Sequence, residues 1–202
     1  MTVGKDIHAV LLAAGRSTRM GRNNKLLLNV DGIPLVRKSA INILDSNVAY
    51  MTVVTGFDEE KIVDALSGLN VNFVKNVNYR EGISSSLKMG LTNITPSPSA
   101  VIICLADMPK IQPEHLNRLI ENFDPSKGLE ICIPTNKGKR GNPVLIGNRL
   151  FPHIFETSGD FGAKHVMKQH PNKIIEVEIG TSDIHLDIDT QDEYKKFTTS
   201  GL

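Results

Sequence analysis

Residues 7–25 read IHAVLLAAGRSTRMGRNNK and contain the two features that decide the fold. The segment 7–13 is a continuous apolar run, which is typical of a strand covered by helices on both faces. A loop rich in glycine and basic residues follows from 15 to 25. In open α/β sheets, ligands bind at the carboxyl ends of the strands. The order of strand and loop therefore predicts an anion-binding site at the end of the first strand.

The next hundred residues continue this alternation of strand and helix. Apolar runs predict three further strands and the segments around them predict four helices, namely strands 51–55, 71–75 and 101–105 and helices 33–44, 58–66, 82–94 and 112–123. This pattern indicates the α/β class. We expect a mostly parallel, doubly wound sheet between two layers of helices, an αβα arrangement in three layers.

Beyond residue 123 the alternation becomes less regular. Short strands are expected at 131–134 and 144–146, which bracket a basic turn and could pair as a hairpin. Thr190 and Glu193 have the spacing of a capping box at the start of a last helix. The sequence contains no internal repeat or interdomain linker, which favours a single domain over residues 1–202. Weaker patterns predict two more strands, at 174–177 and 184–187, and two short helices, near Leu150 and Ala163.

The composition is ordinary for a globular protein. The chain has 202 residues, of which 40% are hydrophobic and 22% charged, and this length can bury a core without disulfides. The formal net charge of +1 does not favour nucleic acid or an anionic membrane as a partner. Cys104 and Cys132 lie in apolar runs without a metal-binding pattern, so buried thiols in a reducing compartment are expected. With no signal peptide or membrane span in the pattern, we expect a cytoplasmic protein.

The basic loop resembles neither of two standard phosphate-binding motifs. A Walker loop needs Gly-x4-Gly-Lys-Ser/Thr, but Gly15 and Gly21 are one residue too far apart and no Lys-Ser/Thr follows. No GxGxxG fingerprint of a dinucleotide site is present. Backbone N–H groups and basic side chains can still hold a phosphate in another geometry. A plain solvated basic loop is the alternative. The charged residues of this loop are Arg16, Arg19, Arg22 and Lys25.

Three aspartates are candidates for binding a metal ion. Asp107 stands at the carboxyl end of the most apolar strand, beside the first loop. Asp187 and Asp189 are two residues apart on an extended segment, so their side chains face the same way. Mg²⁺ prefers carboxylate oxygens and usually takes one or two of them together with substrate phosphates. The alternatives are a turn aspartate at Asp107 and a capping aspartate before the last helix.

The string LAAGRSTRMG-x3-K closely resembles the signature loop of the nucleotidyltransferases grouped with the molybdenum cofactor enzymes. The resemblance implies a glycosyltransferase-A-like α/β fold, a nucleoside triphosphate substrate and Mg²⁺. It implies that Asp107, in the motif Asp-Met-Pro, and Asp189 hold the metal, with Asp187 a weaker candidate, and that Arg19, Lys25 and Asp107 are catalytic. It implies nucleotide contacts along the loop from Leu12, Ala13, Ala14, Gly15, Arg19 and Lys25.

Three other segments resemble the same family and imply the remaining contacts. In the segment after the third strand, Gly82 and Ser84 would contact the base, and Thr55 with Gly56 could line its pocket. Two glycine turns would bind the acceptor, although Lys164 stands where the family has arginine and offers charge without the bidentate fork. LAAG rather than LAGG favours the cytidylyl branch over the guanylyl branch. The acceptor residues by this resemblance are Asn142, Pro143, Gly159, Asp160, Gly162 and Lys164.

The resemblance thus predicts transfer of CMP from CTP to molybdenum-bearing molybdopterin, with release of pyrophosphate. It also implies a transient contact with a molybdenum hydroxylase or its chaperone. Three alternatives stay open at this point. They are a nucleotidyltransferase with another phosphorylated acceptor such as a sugar phosphate, a non-catalytic nucleotide-binding chaperone or regulator, and a redox protein with a nucleotide cofactor. The missing dinucleotide fingerprint weighs against the last of these.

Overall fold

The first strand occupies the centre of the sheet. The computed structural model describes residues 6–17, 24–94 and 97–199. Strand β1 (Ile7–Leu12) is buried over five of its six residues, as its uninterrupted apolar sequence predicts. It pairs in parallel with β4 (Tyr50–Thr55) on one side and with β6 (Ala100–Leu105) on the other. Because parallel strands point the same way, the loops that follow β1, β4 and β6 meet at one edge of the sheet.

The main sheet has eight strands and one antiparallel insertion along its path. The order is β10-β7-β9-β6-β1-β4-β5, with β8 paired to β7. Strand β9 is antiparallel to both β6 and β7, whereas the other neighbours along the path are parallel. Strands β2 (Asn29–Val30) and β3 (Ile33–Pro34) form a separate antiparallel pair. The remaining strands are β5 (Asn72–Lys75), β7 (Ile131–Asn136), β8 (Lys139–Arg140), β9 (Val144–Gly147) and β10 (Ile174–Glu178).

Helices cover both faces of this sheet. Buried residues of β1 alternate between two apolar clusters, with Leu11 in one and Val10 in the other. The first cluster includes residues of α1, α2, α4 and α7, and the second includes residues of α3, α5 and α6. The helices are α1 (Leu35–Leu44), α2 (Glu59–Ala65), α3 (Ile83–Thr92), α4 (Pro113–Asn122), α5 (Phe151–Phe155), α6 (Ala163–Gln169) and α7 (Gln191–Thr199).

These layers confirm the predicted α/β class and its mostly parallel sheet. Strands β7 and β9 pair in antiparallel fashion, as expected, and the basic turn between them adds β8. The capping box before α7 is also present, since Glu193 N donates to Thr190 Oγ1 and the Glu193 carboxylate accepts from Thr190 N. Among the described helices, none combines the length and the apolar character needed to cross a membrane.

The strand predicted at 184–187 is wrong. Residues Ser182–His185 form a short 3-10 helix instead. The Thr181 side chain accepts a hydrogen bond from Asp183 N and caps this turn. A local side-chain bond to the backbone offers an alternative to pairing in a sheet. The turn brings residues 187–189 to the same edge of the sheet as Asp107, because Ile188 N donates to Asp107 O at 3.0 Å.

Helix α3 lies very close to the sheet. A Cβ atom added at Gly90 would come within 2.7 Å of Val10 Cγ1 and 3.0 Å of Val54 Cγ2. Only glycine permits such a close approach of helix and strand. This contact holds the second half of α3 against β1 and β4, and residues of its first turn, Ile83 and Ser86, line the pocket described next.

Candidate active site

A pocket of about 400 Å³ opens at the carboxyl edge of the sheet. Its walls come from the loop after β1, the start of α3, the turn after β6 and the segment before α7. One part of the lining is apolar and aromatic, and another part is strongly charged. The lining residues are Leu12, Ala14, Gly15, Ser17, Lys25, Leu26, Tyr79, Gly82, Ile83, Ser86, Leu105, Asp107, Asp160, Asp187 and Asp189.

The charged part is a lysine bound to two aspartates. Lys25 Nζ lies 2.6 Å from Asp107 Oδ2 and 2.6 Å from Asp189 Oδ1. All three side chains are mostly buried, with 13, 17 and 20% of their surface exposed, respectively. Asp187 joins the group, since one carboxylate oxygen from each of the three aspartates lies within 4.8 Å of the other two. We call Asp107, Asp187 and Asp189 the carboxylate cluster.

Backbone hydrogen bonds hold this cluster in place. Ala106 N donates to Leu12 O at 3.3 Å, which ties the turn carrying Asp107 to the end of β1. Asp189 N donates to the Glu193 carboxylate at 2.9 Å, so the cap of α7 also orients Asp189. The positions of the carboxylates thus depend on the sheet and on a helix cap rather than on a free loop.

The local charges change the pKa of two groups in the pocket. Burial opposes the charged form of Lys25, but hydrogen bonds and charge attraction from Asp107 and Asp189 outweigh it and raise the pKa of Lys25. Burial raises the pKa of Asp187, and the negative charges of Asp189 and Asp107 raise it further. The lysine is therefore held as a cation, and the cluster carries more negative charge than one lysine offsets.

The carboxylate cluster fits a hard divalent cation. Three carboxylates supply oxygen ligands of the kind that Mg²⁺ and Mn²⁺ take. The buried Oδ1 atom of Asp107 has no hydrogen-bond partner among the described residues. A buried carboxylate oxygen without a partner is costly in a folded protein, and a cation would satisfy it. Asp107 and Asp189, which the sequence predicted as metal ligands, lie together here, and Asp187 lies with them.

The first loop presents its backbone to the pocket. Ala13 N donates to Val54 O, and Ala14 O accepts from Phe57 N at 3.2 Å, so this stretch is fixed against β4 and the turn after it. A Cβ added at Gly56 would lie 2.9 Å from Ala14 Cβ, which shows how closely the two turns pack. The loop closes on itself where Lys25 N donates to Ser17 Oγ at 3.1 Å. Arg19, predicted to be catalytic and to bind nucleotide, lies outside the described residues.

The predicted base-binding and acceptor-binding segments touch each other. Asp160 Oδ1 accepts a hydrogen bond from Ile83 N at 3.2 Å, at the first residue of α3. Ser84 is buried, and its hydroxyl accepts from Gly162 N at 3.2 Å. Gly82 and Asp160 line the pocket. Ser84 does not line it, because its hydroxyl is turned into the contact with the 159–162 turn.

Several other residues predicted from the sequence do not reach this pocket. Thr55 is fully buried, and its hydroxyl donates to Glu59 Oε1 at 3.3 Å and Val74 O at 3.4 Å. Pro143 lines a separate, very small apolar cavity. The side chain of Lys164 is exposed on α6. Asn142, whose backbone N donates to Ile184 O, is likewise not part of the lining.

A comparison with protein families matches most of the chain. A model of the MobA-like NTP transferase domain matches residues 9–174. The chain belongs to this family. It is therefore an enzyme of the nucleotidyltransferase kind. The matched range contains the first loop, the start of α3, Asp107 and Asp160, and it ends before Asp187 and Asp189.

Relatives of this MobA-like protein carry different names. A "Probable molybdenum cofactor guanylyltransferase" of Natronomonas pharaonis is 35% identical over 116 residues, which is 57% of this chain and 56% of that protein. The chain thus aligns with little more than half the length of that relative. A "Nicotine blue oxidoreductase" of Paenarthrobacter nicotinovorans is 25% identical over 93% of this chain and 94% of that protein.

Solved structures share the fold of this MobA-like protein. A nucleotidyl transferase from Methanothermobacter thermautotroptrophicus superimposes with a TM-score of 0.85, covering 98% of both chains at 24% identity. This likeness shows the nucleotidyltransferase fold and agrees with the glycosyltransferase-A-like architecture expected from the sequence. It does not bear on the substrate.

Six lining residues of the MobA-like site were missed from the sequence, namely Ser17, Leu26, Tyr79, Ile83, Ser86 and Leu105. Tyr79, Ile83 and Ser86 lie in the segment after the third strand, which resembles the family. The helical period of α3 places Ser86 one turn beyond Gly82, on the same side of the helix. That spacing could have predicted Ser86 as a lining residue. No sequence pattern predicted Ser17, because its direction depends on a backbone φ of 53° that is seen only in the folded loop.

Proposed function

We propose that this nucleotidyltransferase transfers CMP from CTP to a molybdopterin-type acceptor phosphate, with Mg²⁺ as the cofactor. The observation that carries the proposal is the carboxylate cluster with Lys25, placed in one pocket with the backbone of the LAAG loop. The cytidylyl choice rests on the resemblance of LAAG to that branch. It stands against the guanylyltransferase name of the 35% identical relative.

The proposed reaction is an in-line substitution at phosphorus. An oxygen of the acceptor phosphate forms a bond to the α-phosphorus of CTP, the bond from that phosphorus to the β-bridging oxygen breaks, and pyrophosphate leaves. The acceptor phosphate is ionised at neutral pH, so the reaction needs alignment and charge neutralisation rather than a strong general base. A divalent cation held by Asp107 and Asp189 would neutralise charge on the triphosphate.

The residues of this chain supply the other parts. Lys25, already a buried cation, would balance charge on the phosphates and on departing pyrophosphate. The small side chains of Ala13 and Ala14 and the bare backbone of Gly15 would let the nucleotide approach the chain closely. Leu12, at the end of β1, is proposed to contact the nucleotide as well. Asp160, which lines the pocket, is proposed for the acceptor side together with Gly159 and Gly162 of the same turn. Gly82 is proposed for the base and Arg19 for the phosphates.

Two measurements test this proposal. Isothermal titration with CTP, GTP, ATP and UTP, each with and without MgCl₂, should show binding of CTP that depends on Mg²⁺. Mass spectrometry of reactions with CTP and molybdopterin should then show a cytidylylated acceptor and pyrophosphate. Preference for GTP would keep the nucleotidyltransferase chemistry and overturn the cytidylyl choice. CTP binding without product from molybdopterin would favour another acceptor, such as a sugar phosphate.

A matched pair of variants tests the role of the cluster. Asp107→Ala should abolish turnover while the circular dichroism spectrum stays unchanged, because it removes the buried oxygen that has no protein partner. Asp64→Ala, which removes an exposed carboxylate on α2, is the control and should retain activity. Turnover by Asp107→Ala at the wild-type rate would refute the metal role.

A redox activity is the second candidate, because a relative named as an oxidoreductase aligns with 93% of this chain. The same titration extended to NADH and NADPH distinguishes it from nucleotidyl transfer. Tight binding of a reduced dinucleotide, with no response to any nucleoside triphosphate, would favour this candidate.

A further inference from the structure

The ammonium group of Lys25 occupies the place where two carboxylates would otherwise face each other. It lies 2.6 Å from Asp107 Oδ2 and 2.6 Å from Asp189 Oδ1. These are charge-assisted hydrogen bonds, which are short and strong. Each of the two carboxylates therefore already has one oxygen committed to an internal cation. A divalent cation that used the same pair of carboxylates would meet a positive charge at contact distance.

The backbone of Lys25 is fixed while its side chain is long. Lys25 N donates to Ser17 Oγ at 3.1 Å, and the side chain of the preceding Asn24 accepts from Leu26 N at 3.1 Å. The main chain is thus held by bonds on both sides of this residue. A lysine head on a four-carbon stem can still move between partners without moving the backbone. Ser17 and Lys25 both line the pocket, so a triphosphate there would be within the same cavity as the ammonium group.

The charge in the pocket favours such an exchange of partners. Among its described lining residues, four are aspartates and one is a lysine. Among these described residues negative charge is in excess, so a triphosphate beside them needs cations as counter-ions. The triphosphate also offers Lys25 a partner with more negative charge than a carboxylate has. If Lys25 turns towards the phosphates, the oxygens that it leaves on Asp107 and Asp189 become available to a divalent cation.

We propose that Lys25 competes with the divalent cation for Asp107 and Asp189, so that the metal site is closed in the free protein and opens when a nucleoside triphosphate draws Lys25 away. Metal and nucleotide then bind cooperatively. By linkage, the nucleotide tightens metal binding by the same factor by which the metal tightens nucleotide binding. The inference rests on the proposed nucleotidyltransferase function and assigns an order of events at that site.

The experiment measures Mn²⁺ affinity without turnover. Free Mn²⁺ is followed by electron paramagnetic resonance while it is titrated into the wild-type protein, with and without CTP and in the absence of any acceptor. The same titration with CTP alone measures the Mn²⁺ that CTP itself binds, and this amount is subtracted. Without CTP, the wild-type protein should bind Mn²⁺ weakly. With saturating CTP, the affinity should rise on the order of tenfold or more, which is within the usual range of coupling between two sites.

Variants of Lys25 separate competition from simple ligand supply. Lys25→Met should bind Mn²⁺ on the order of tenfold more tightly than wild type without CTP, and CTP should then add little. Lys25→Arg keeps a positive charge beside the carboxylates, so it should not show the gain in Mn²⁺ affinity that is expected of Lys25→Met. Lys38→Met removes a lysine that pairs with the exposed Asp31 on another surface, and it should not alter Mn²⁺ binding.

Two results would overturn the inference. One is equal Mn²⁺ affinity of Lys25→Met and wild type in the absence of CTP. The other is wild-type Mn²⁺ binding that does not respond to CTP, and this test needs no variant and so stands even if Lys25→Met misfolds. If CTP binds in the presence of Mn²⁺ but Lys25→Met shows no gain in Mn²⁺ affinity, the proposed competition is wrong and the proposed function stands. If neither Mn²⁺ nor CTP binds to wild type, the proposed function fails with it.

Discussion

Replacement of Gly82 by alanine should destabilise the protein at the mouth of the pocket. Gly82 has a φ of 99° and a ψ of 178°, a region that is almost exclusive to glycine and costs other residues about 1–3 kcal/mol. An added Cβ would also lie 2.6 Å from Asp160 Oδ1 and from Gly159 C, and 2.7 Å from Gly159 O. Forcing an atom into such a contact costs about 1–3 kcal/mol more. The two terms add, because the clash involves backbone that cannot rotate away.

Gly32→Ala is the matched control for this prediction. Gly32 has a φ of 86°, but no described atom lies within 4 Å of its added Cβ. It should therefore show only the backbone part of the cost. For a chain of this length, 1 kcal/mol changes Tm by about 2–4 °C. A clash of about 2 kcal/mol then lowers the Tm of Gly82→Ala by about 4–8 °C below that of Gly32→Ala.

Differential scanning calorimetry and urea unfolding measure both variants. Equal stability of Gly82→Ala and Gly32→Ala would refute the reasoning, because it would mean that the 159–162 turn yields without cost. The comparison also concerns the site, since the contact between Gly82 and Asp160 joins the proposed base-binding and acceptor-binding segments.

Three further predictions concern stability. Arg149→Met should lower the free energy of unfolding in urea by about 1–3 kcal/mol, because the buried Glu130 carboxylate loses the charged donor that lies 3.0 Å away. A loss below about 0.5 kcal/mol, the usual effect of a surface change, would contradict this. Thr190→Ala should lower the free energy of unfolding by about 1 kcal/mol, because it removes the capping hydroxyl that accepts from Glu193 N. An unchanged Tm would contradict this prediction. Burial lowers the pKa of His8, so the unfolded state binds more protons and stability should fall as pH drops below about 6.5. Replacing His8 by glutamine should make the dependence of Tm on pH shallower, and a steeper dependence would show the sign to be wrong.

Much of the fold could be predicted because its signals are local. The apolar run of β1 and the alternation of strands with helices through α4 follow from periodicities within each segment. The capping box at Thr190 is likewise a pattern within four residues, and it is present as predicted. The 3-10 helix at Ser182–His185 was missed because a single side-chain cap, not a periodic pattern, decides it.

The candidate site was harder to predict in detail. The sequence placed Asp107 beside the first loop because both follow strands of one sheet, and it added Asp189 only through the family resemblance. The structure places Lys25, Asp107 and Asp189 in contact. It did not indicate that Ser84 faces Gly162 or that Thr55 faces Val74. The direction of a buried side chain depends on which neighbours fill the space around it.

The sequence by itself determined the α/β class, the loop that follows the first strand and the position of Asp107 just after β6. Those features arise from short-range patterns of apolar, glycine and charged residues. Only the tertiary structure decided that Lys25 holds Asp107, 82 positions away, and Asp189, 164 positions away. Contacts between residues so far apart in the sequence depend on strand order and on the packing of the final segment against the turn after β6. No periodic pattern within one segment predicts them.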